Sequence, residues 1–270
     1  MSAQQEFTNQ VHNNINGMGQ DPYMKDVTQL WLRDSLKHQY SYNFQWLGRP
    51  IIQYPQDIVA MQELVWSVKP DLIIETGIAH GGSLIMSASM LALLDYCEAA
   101  EQGRPLYPRN SQRRVLGVDI DIRAHNRTAI EAHPLSHHID MIQGSSIADD
   151  IIAKVHEYAR SFQKILVILD SNHTHEHVLA ELEAYAPLTS HGSYCVVFDT
   201  VVEDLPKALY PDRPWGPGDN PKTAVWEYQR RLKEEGRTAV DGNALTLEID
   251  KSIEHKLQIT VAPDGWLRRT

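Results

Sequence analysis

Residues 71–83 read DLIIETGIAHGGS. Leu72, Ile73 and Ile74 form an apolar run too short for a helix of its own, set directly behind Pro70. A short run of this kind between breakers is a buried strand. Glu75 and Gly77 fall where the strand should end, Gly81 and Gly82 follow, and Ser83 is placed to cap a helix from Leu84 to about Leu94. Glycine lets a backbone approach a bound molecule, and the first turn of a helix offers unpaired N–H groups. In an open α/β sheet, ligands bind beyond the carboxyl ends of the strands, which makes this turn a candidate cradle. The plainer reading is a tight strand–helix turn that binds nothing.

The turn is not G-x-G-x-x-G with dinucleotide spacing, and it lacks the Gly-Lys-Ser/Thr of a phosphate loop. Its E-T-G-x-x-x-G spacing, from Glu75 to Gly81, resembles motif I of S-adenosylmethionine methyltransferases. There a backbone hairpin cradles the methionine part of the cofactor, and the acid faces its ammonium.

Downstream, short apolar runs alternate with helical patterns. Residues 115–118, 139–143, 165–169 and 194–198 read as strands; residues 123–133, 149–162, 177–188 and 223–234 read as helices. That alternation implies crossover connections and a mostly parallel sheet with helices on both faces, an α/β fold of Rossmann-like class. Residues 245–249 and 256–261 read as a final antiparallel hairpin joined through 250–255, with a polar tail behind it. Upstream, Ile58, Met61, Leu64, Val65 and Val68 make one face of a helix over 57–68. Residues 27–37 read as a short helix, and the Gln- and Asn-rich residues 1–20 as poorly ordered or ordered only by a partner. Residues 40–55, dense in aromatics and breakers, read as an irregular hydrophobic cover, with a lid over the site as the alternative. The domain division is an extension over 1–39 and one domain over 40–270.

The strand ends carry the chemistry. Asp119 closes the second strand, where an acid can accept hydrogen bonds from both ribose hydroxyls of a nucleoside. Asp121 suits a helix N-cap better. Ser145 and Ser146 follow the third strand, to cap a helix or to bond a purine base. Asp170 and Asp199 close the fourth and fifth strands, and two carboxylates with a neutral oxygen suit a hard cation such as Mg²⁺. The third ligand is Thr200, Glu203, Asn172 or none. His173, three residues after Asp170, is the general base of choice, since imidazole titrates near neutrality. His173, His175 and His177 alternate and raise a rival transition-metal centre. A helix starting here would separate residues two apart, which leaves His175 and His177 structural. Residues 203–221, containing RPWGPGDNP, form a long turn-rich loop at the same edge, read as a lid or acceptor-binding loop.

The composition, 42% hydrophobic and 22% charged, is that of a globular chain. A net charge of −10, with no basic cluster beyond the pairs Arg113-Arg114 and Arg230-Arg231, argues against a nucleic-acid partner. Cys97 and Cys195, the two cysteines, read as small buried apolar residues. No apolar run in residues 1–20 resembles a secretory signal, and no run approaches the length needed to span a membrane; a cytoplasmic protein is expected.

Taken together, NFQWLGRPIIQYPQD, IIETGIAHGGS, VLGVDID, QGSS, ILDSNHTHEHV, VVFDT and RPWGPGDNPKTAV resemble the cephalosporin hydroxylase / rhamnosyl O-methyltransferase family over residues 40–262, in the family's order. The resemblance implies the class I methyltransferase fold, with a seven-stranded sheet whose last strand is antiparallel. It implies S-adenosylmethionine bound by Glu75, Gly77, Ala79, Gly81, Ser83 and Asp119, with Ser145 near the adenine and Asp170 at the chemical end. It implies Mg²⁺ or a similar cation at Asp170, Asp199 and Thr200. The arrangement is similar to that of catechol-type O-methyltransferases, where a lysine base follows the first metal ligand by three residues; His173 stands in that place, and Thr200 where those enzymes carry asparagine. Some relatives place an acid where this chain has Phe198. The activity implied is metal-assisted methyl transfer to a hydroxyl of a sugar or hydroxylated secondary metabolite. A homo-oligomer is expected, with the N-terminal segment as a contact. A His-rich hydroxylase or hydrolase, and a non-catalytic cofactor-binding partner protein, are the rival classes.

Overall fold

A computed structural model of the protein describes residues 2–270. The chain opens with helices α1 (Ala3–Gln20) and α2 (Pro22–Leu36). The Asp21 carboxylate accepts from the N–H groups of Tyr23 and Met24, and Pro22 takes the first helical position, so α2 starts where α1 stops. Residues 1–20, expected to lack order, are therefore helical from Ala3 on. In α1 only Gly19 is buried; an added Cβ there would press into the ring of His255.

Residues 40–55 are not irregular. After a 3₁₀ turn (Tyr40–Asn43), β1 (Phe44–Trp46) and β2 (Arg49–Ile51) pair antiparallel. Leu47 and Gly48 both have positive φ, as a two-residue hairpin turn requires. Edge-to-face rings of Trp31, Tyr40, Phe44 and Tyr54, with centroids 5.0–5.7 Å apart, bind this hairpin to α2.

The main body follows: α3 (Pro55–Val68), β3 (Leu72–Thr76), α4 (Gly82–Glu101), β4 (Arg114–Asp119), α5 (Ala124–Glu131), β5 (Ile139–Gln143), α6 (Asp149–Ala159), β6 (Ile165–Leu169), α7 (His175–Tyr185), β7 (Tyr194–Val197), α8 (Pro221–Glu235), β8 (Leu247–Ile249), α9 (Lys251–Leu257) and β9 (Trp266–Arg269). The seven-stranded sheet has the order β5-β4-β3-β6-β7-β9-β8; the first five strands are parallel, and β9 runs antiparallel to both β7 and β8. This is the α/β architecture expected for the class I methyltransferase fold.

Both faces of the central strands are buried, so their sequences are continuous apolar runs. Ile73, Leu166 and Val196 face one core, with Met61, Leu84 and Ile253 from α3, α4 and α9. Leu72, Ile74, Val167 and Cys195 face the other, with Val155, Leu182 and Val225 from α6, α7 and α8. Each fully buried Leu or Ile contributes roughly 1.5–3 kcal/mol by transfer from water. Cys195 is buried as read, whereas Cys97 is only half-buried on α4. By length and composition α4 is apolar enough to cross a membrane, contrary to the reading that no stretch approaches this; here Leu84, Ile85, Leu91 and Leu94 spend that apolarity on the core.

The C-terminal reading is corrected. Residues 256–261 are not a strand, 250–255 are not a turn, and the polar tail is not a tail. Ile253 faces the core from α9, and Gln258 at φ +60° ends that helix. The strand inserted between β7 and β8 is β9, with Trp266 and Leu267 fully buried. Its charges hid it: the Arg269 guanidinium is buried because it donates to the Thr189 carbonyl and to Asp241.

Candidate active site

From β3 the chain winds outward through β4 to β5, then returns to place β6 on the other side of β3. The strand order reverses there, and a crevice opens beyond the carboxyl ends. Gly77 sits in it at φ +91°, and a Cβ would lie 2.1 Å from the Asp170 carbonyl oxygen. The meeting of two strand ends is by itself enough to require glycine here. Gly81, at φ +81°, is likewise crowded by the Ile130 side chain. It is also the cap residue of α4, so Ser83 is not the cap; the Ser83 hydroxyl donates to Glu75 instead.

Glu75 is 1% exposed and lines a cavity of about 500 Å³. Its Oε2 has no partner among the described residues, and burial pushes the carboxyl up to about 7 against the help of Ser83. A buried, unpaired carboxylate oxygen on a cavity wall fits a cationic group such as an ammonium.

The glycine turn is held from three sides. Asp119 Oδ2 accepts from the N–H groups of Ile78 (2.8 Å) and Ala79 (3.3 Å), and its Oδ1 from that of Asp121 (2.9 Å). Ala79 has φ +46°, and its carbonyl accepts from Asn126 Nδ2 at 2.8 Å. The Arg49 guanidinium, from the hairpin, donates to the His80 carbonyl and to Asn126. Asp119 thus anchors the turn. Asp121 is not an N-cap, since the cap residue of α5 is Arg123, with no side-chain cap bond. Neither serine after β5 caps α6, whose cap residue is Ala148; the Ser145 carbonyl accepts from Ala148 N–H, and Ser146 Oγ lies 3.1 Å from His177 Nε2.

At the ends of β6 and β7, donor atoms of Asp170, His173 and Asp199 lie within 4.8 Å of one another. His173 Nε2 is 3.1 Å from Asp199 Oδ2, and the Trp215 ring stands edge-on to the imidazole with centroids 4.8 Å apart. The Asp170 carboxyl is pushed well above the usual range, first by burial and then by the charges of Asp199, Glu75, Glu181 and Asp57. Two carboxylates and an imidazole amid so many acids fit a divalent cation.

Thr200, expected to complete the cation site, does not line the cavity. It is fully buried, and its hydroxyl donates to the Pro263 carbonyl at 2.6 Å. The other candidate ligands do not line the cavity either: Glu203 Oε2 accepts from Gly218 N–H and Asn220, and Asn172 Oδ1 from Thr174. The three histidines diverge, because α7 begins at His175. His175 Nδ1 meets Thr223 Oγ1 at 2.8 Å, and His177 Nε2 meets Ser171 Oγ at 3.2 Å. The His-rich centre is not assembled.

The 500 Å³ cavity thus brings together Glu75, Gly77, Ala79, Ser83, Asp170, His173 and Asp199; Gly81, Asp119, Ser145 and Thr200 do not line it. The loop before α8 supplies Tyr210, Arg213 and Trp215 to the wall, and the segment after the hairpin supplies Gln53 and Tyr54. Sequence reasoning had passed over Tyr54 and Tyr210; the aromatic density of residues 40–55 was the available signal for Tyr54.

A family model for Rhamnosyl O-methyltransferase/CmcI matches residues 38–270. The chain is 27% identical over 225 residues to a rhamnosyl O-methyltransferase of Mycobacterium leprae (strain TN), covering 83% of this chain and 82% of the relative. It is 29% identical over 213 residues to one of Mycobacterium tuberculosis (strain ATCC 25618 / H37Rv), covering 79% and 73%. A solved structure of CmcI with Mg and SAM superposes with a TM-score of 0.53 at 17% identity, covering 85% of this chain and 77% of that one, a likeness of fold.

Proposed function

The chain belongs to the rhamnosyl O-methyltransferase/CmcI family, and on that premise we propose that it carries a methyl group from S-adenosylmethionine to a hydroxyl of a sugar or hydroxylated secondary metabolite, assisted by a divalent cation such as Mg²⁺. Family membership supports the enzyme class, and the rhamnosyl relatives support a sugar acceptor. One observation carries the residue roles: Asp170, His173 and Asp199 converge in the cavity that also holds the unpaired oxygen of Glu75.

Bound S-adenosylmethionine supplies an electrophilic methyl group, and a divalent cation held by Asp170 and Asp199 lowers the cost of ionising an acceptor hydroxyl. Glu75 takes the cofactor's ammonium, with Gly77, Ala79 and Ser83 as the adjoining wall. Asp119 steadies the turn through its N–H groups and, with Ser145, marks the nucleoside side. His173 accepts the hydroxyl proton at Nδ1, because its Nε2–H faces Asp199 Oδ2 at 3.1 Å, and the same carboxylate stabilises the imidazolium that results. Trp215 limits rotation of the imidazole, while the loop and the hairpin side hold the acceptor in register and exclude water. The proposal includes a cytoplasmic location, a homo-oligomer and a single domain after residue 39, with no part for nucleic acid or membrane.

Calorimetric titration of S-adenosylmethionine and S-adenosylhomocysteine, with and without Mg²⁺, tests the reading. Micromolar binding is expected; no binding of either ligand sinks it. Asp170→Ala should abolish Mg²⁺-stimulated turnover yet keep most of the cofactor affinity, and full activity in that variant removes the cation role. Intact binding without transfer to a broad acceptor panel makes the chain a non-catalytic partner instead.

A further inference from the structure

Asp57 stands in the first turn of α3 and is wholly buried (0% exposed). Among the described residues no cation pairs with it. Its Oδ1 accepts from the Thr260 hydroxyl, and its Oδ2 from the N–H of Val261 at 3.0 Å. The Thr260 oxygen itself accepts from Ala262 N–H at 3.0 Å, so its proton is free only for Asp57. The position must therefore accept twice, once on each oxygen. A carboxylate does this and an amide does not.

Thr260 and Val261 begin a strap, residues 260–265, that runs from the end of α9 to β9 and lies along the turn after β7. The Val261 carbonyl accepts from Val201 N–H at 3.1 Å, the Pro263 carbonyl from the Thr200 hydroxyl, and the Gly265 carbonyl from Val197 N–H at 2.8 Å. The contact admits no side chain at Gly265, where a Cβ would fall 2.0 Å from the Val197 carbonyl oxygen. Inside this frame stands Asp199, a non-glycine residue at φ +55°. Such a conformation persists only where the surroundings enforce it. The bonds at Val197, Thr200 and Val201 supply that enforcement, and Asp57 fixes the strap that makes them.

We propose that Asp57 is the positioning residue for Asp199: by holding residues 260–265 it keeps the left-handed turn that aims the Asp199 carboxylate at Asp170 and His173. Asp57 lines no part of the cavity; beside the charge it places near Asp170, it acts through the strap, and Thr260, which is neutral, isolates that second route. A residue whose sole task was stability would be better apolar, since burying a carboxyl group opposes folding. The inference rests on reading Asp199 as a cation ligand.

The test is calorimetric titration of Mg²⁺ into protein saturated with S-adenosylhomocysteine, with the affinity for S-adenosylhomocysteine and the far-UV circular dichroism measured on the same samples. Asp57→Asn and Thr260→Val are each expected to weaken Mg²⁺ binding by about tenfold or more, the usual effect of losing a group that orients a ligand. S-adenosylhomocysteine affinity should stay within about twofold, and Thr260→Ser should restore parent behaviour because it keeps the hydroxyl. Where Asp57→Asn fails to fold, the Thr260 pair decides alone. Parent-like Mg²⁺ affinity in Thr260→Val, or equal losses of Mg²⁺ and S-adenosylhomocysteine affinity, overturns the inference. Failure of the parent itself to bind Mg²⁺ overturns the cation reading beneath it, a result distinct from either.

Discussion

A carboxyl group walled off from water holds its proton to higher pH, and Glu75 does so in a place where a cationic ligand would reverse the effect. In the ligand-free protein its carboxyl rises from 4.5 to about 7. Between those values the folded chain binds more protons than the unfolded one, so stability falls as pH rises through the window and levels off above it. At 1.36 kcal/mol per unit, the limb amounts to roughly 3 kcal/mol. Asp57, also pushed up to about 7 by burial, adds a limb of the same sign, so Glu75→Gln should make the slope shallower without abolishing it, measured by urea unfolding from pH 5 to 8 without cofactor; an unchanged slope would show that Glu75 contributes nothing to it. The same residue was legible in the sequence as the acid at a strand end, as were Asp170 and Asp199, with His173 three residues after Asp170. Thr200 lies off the cavity for a local reason with a distant cause. Which side chain of that turn points into the crevice depends on the φ of Asp199, and so on a strap sixty residues further along the chain.

At the scale of elements, the crevice depends on how closely β3 and β6 end against one another. Gly77→Ala would set a methyl carbon 2.1 Å from the backbone oxygen of Asp170 and require a positive φ of alanine. Neither backbone has a flexible end to move, so the loss should reach about 2–4 kcal/mol, within the range for overpacked and strained sites. Chemical denaturation measures it; a loss below about 0.5 kcal/mol, the scale of a surface change, would mean the strand ends part easily. The five parallel strands were readable because burial on both faces leaves them uninterrupted apolar runs. The last pair was not. Leu257, Ile259 and Val261 alternate like a strand, but helix α9 and its left-handed end at Gln258 occupy that stretch, while the charged sequence WLRR forms β9. Arg269 is tolerated there only because Thr189 and Asp241 receive its guanidinium, and pairing across a fold has no local signal.

Across the molecule, a net charge of −10 includes a cluster of acids around Asp170, facing His173 as the one basic group in the candidate cation site. Self-repulsion of this kind is relieved by a bound cation, and a ligand that binds only the folded chain stabilises it in proportion to the logarithm of its concentration. Mg²⁺ and S-adenosylhomocysteine, each near a hundred times its dissociation constant, should each add about 2.7 kcal/mol. For a chain of this size that is a Tm increase of roughly 5–10 °C apiece. Calorimetric scans with and without EDTA separate the two shifts, and a Tm indifferent to both ligands would count against a cofactor and cation site in this crevice.

Local sequence was enough for the α/β class, the parallel strands and the acids at their ends, because those features rest on periodicity, breakers and burial. It also carried the resemblance to the family, since the motifs lie in unbroken stretches. Tertiary contacts were needed for the rest: that Gly77 meets the Asp170 carbonyl, that His173 joins the carboxylates while His175 and His177 turn away, and that Asp119 braces the turn. They also decided that β9 comes from the charged C-terminal stretch. Each of these depends on groups brought together from distant parts of the chain, and the direction of a side chain in a turn is set by what its backbone is bonded to.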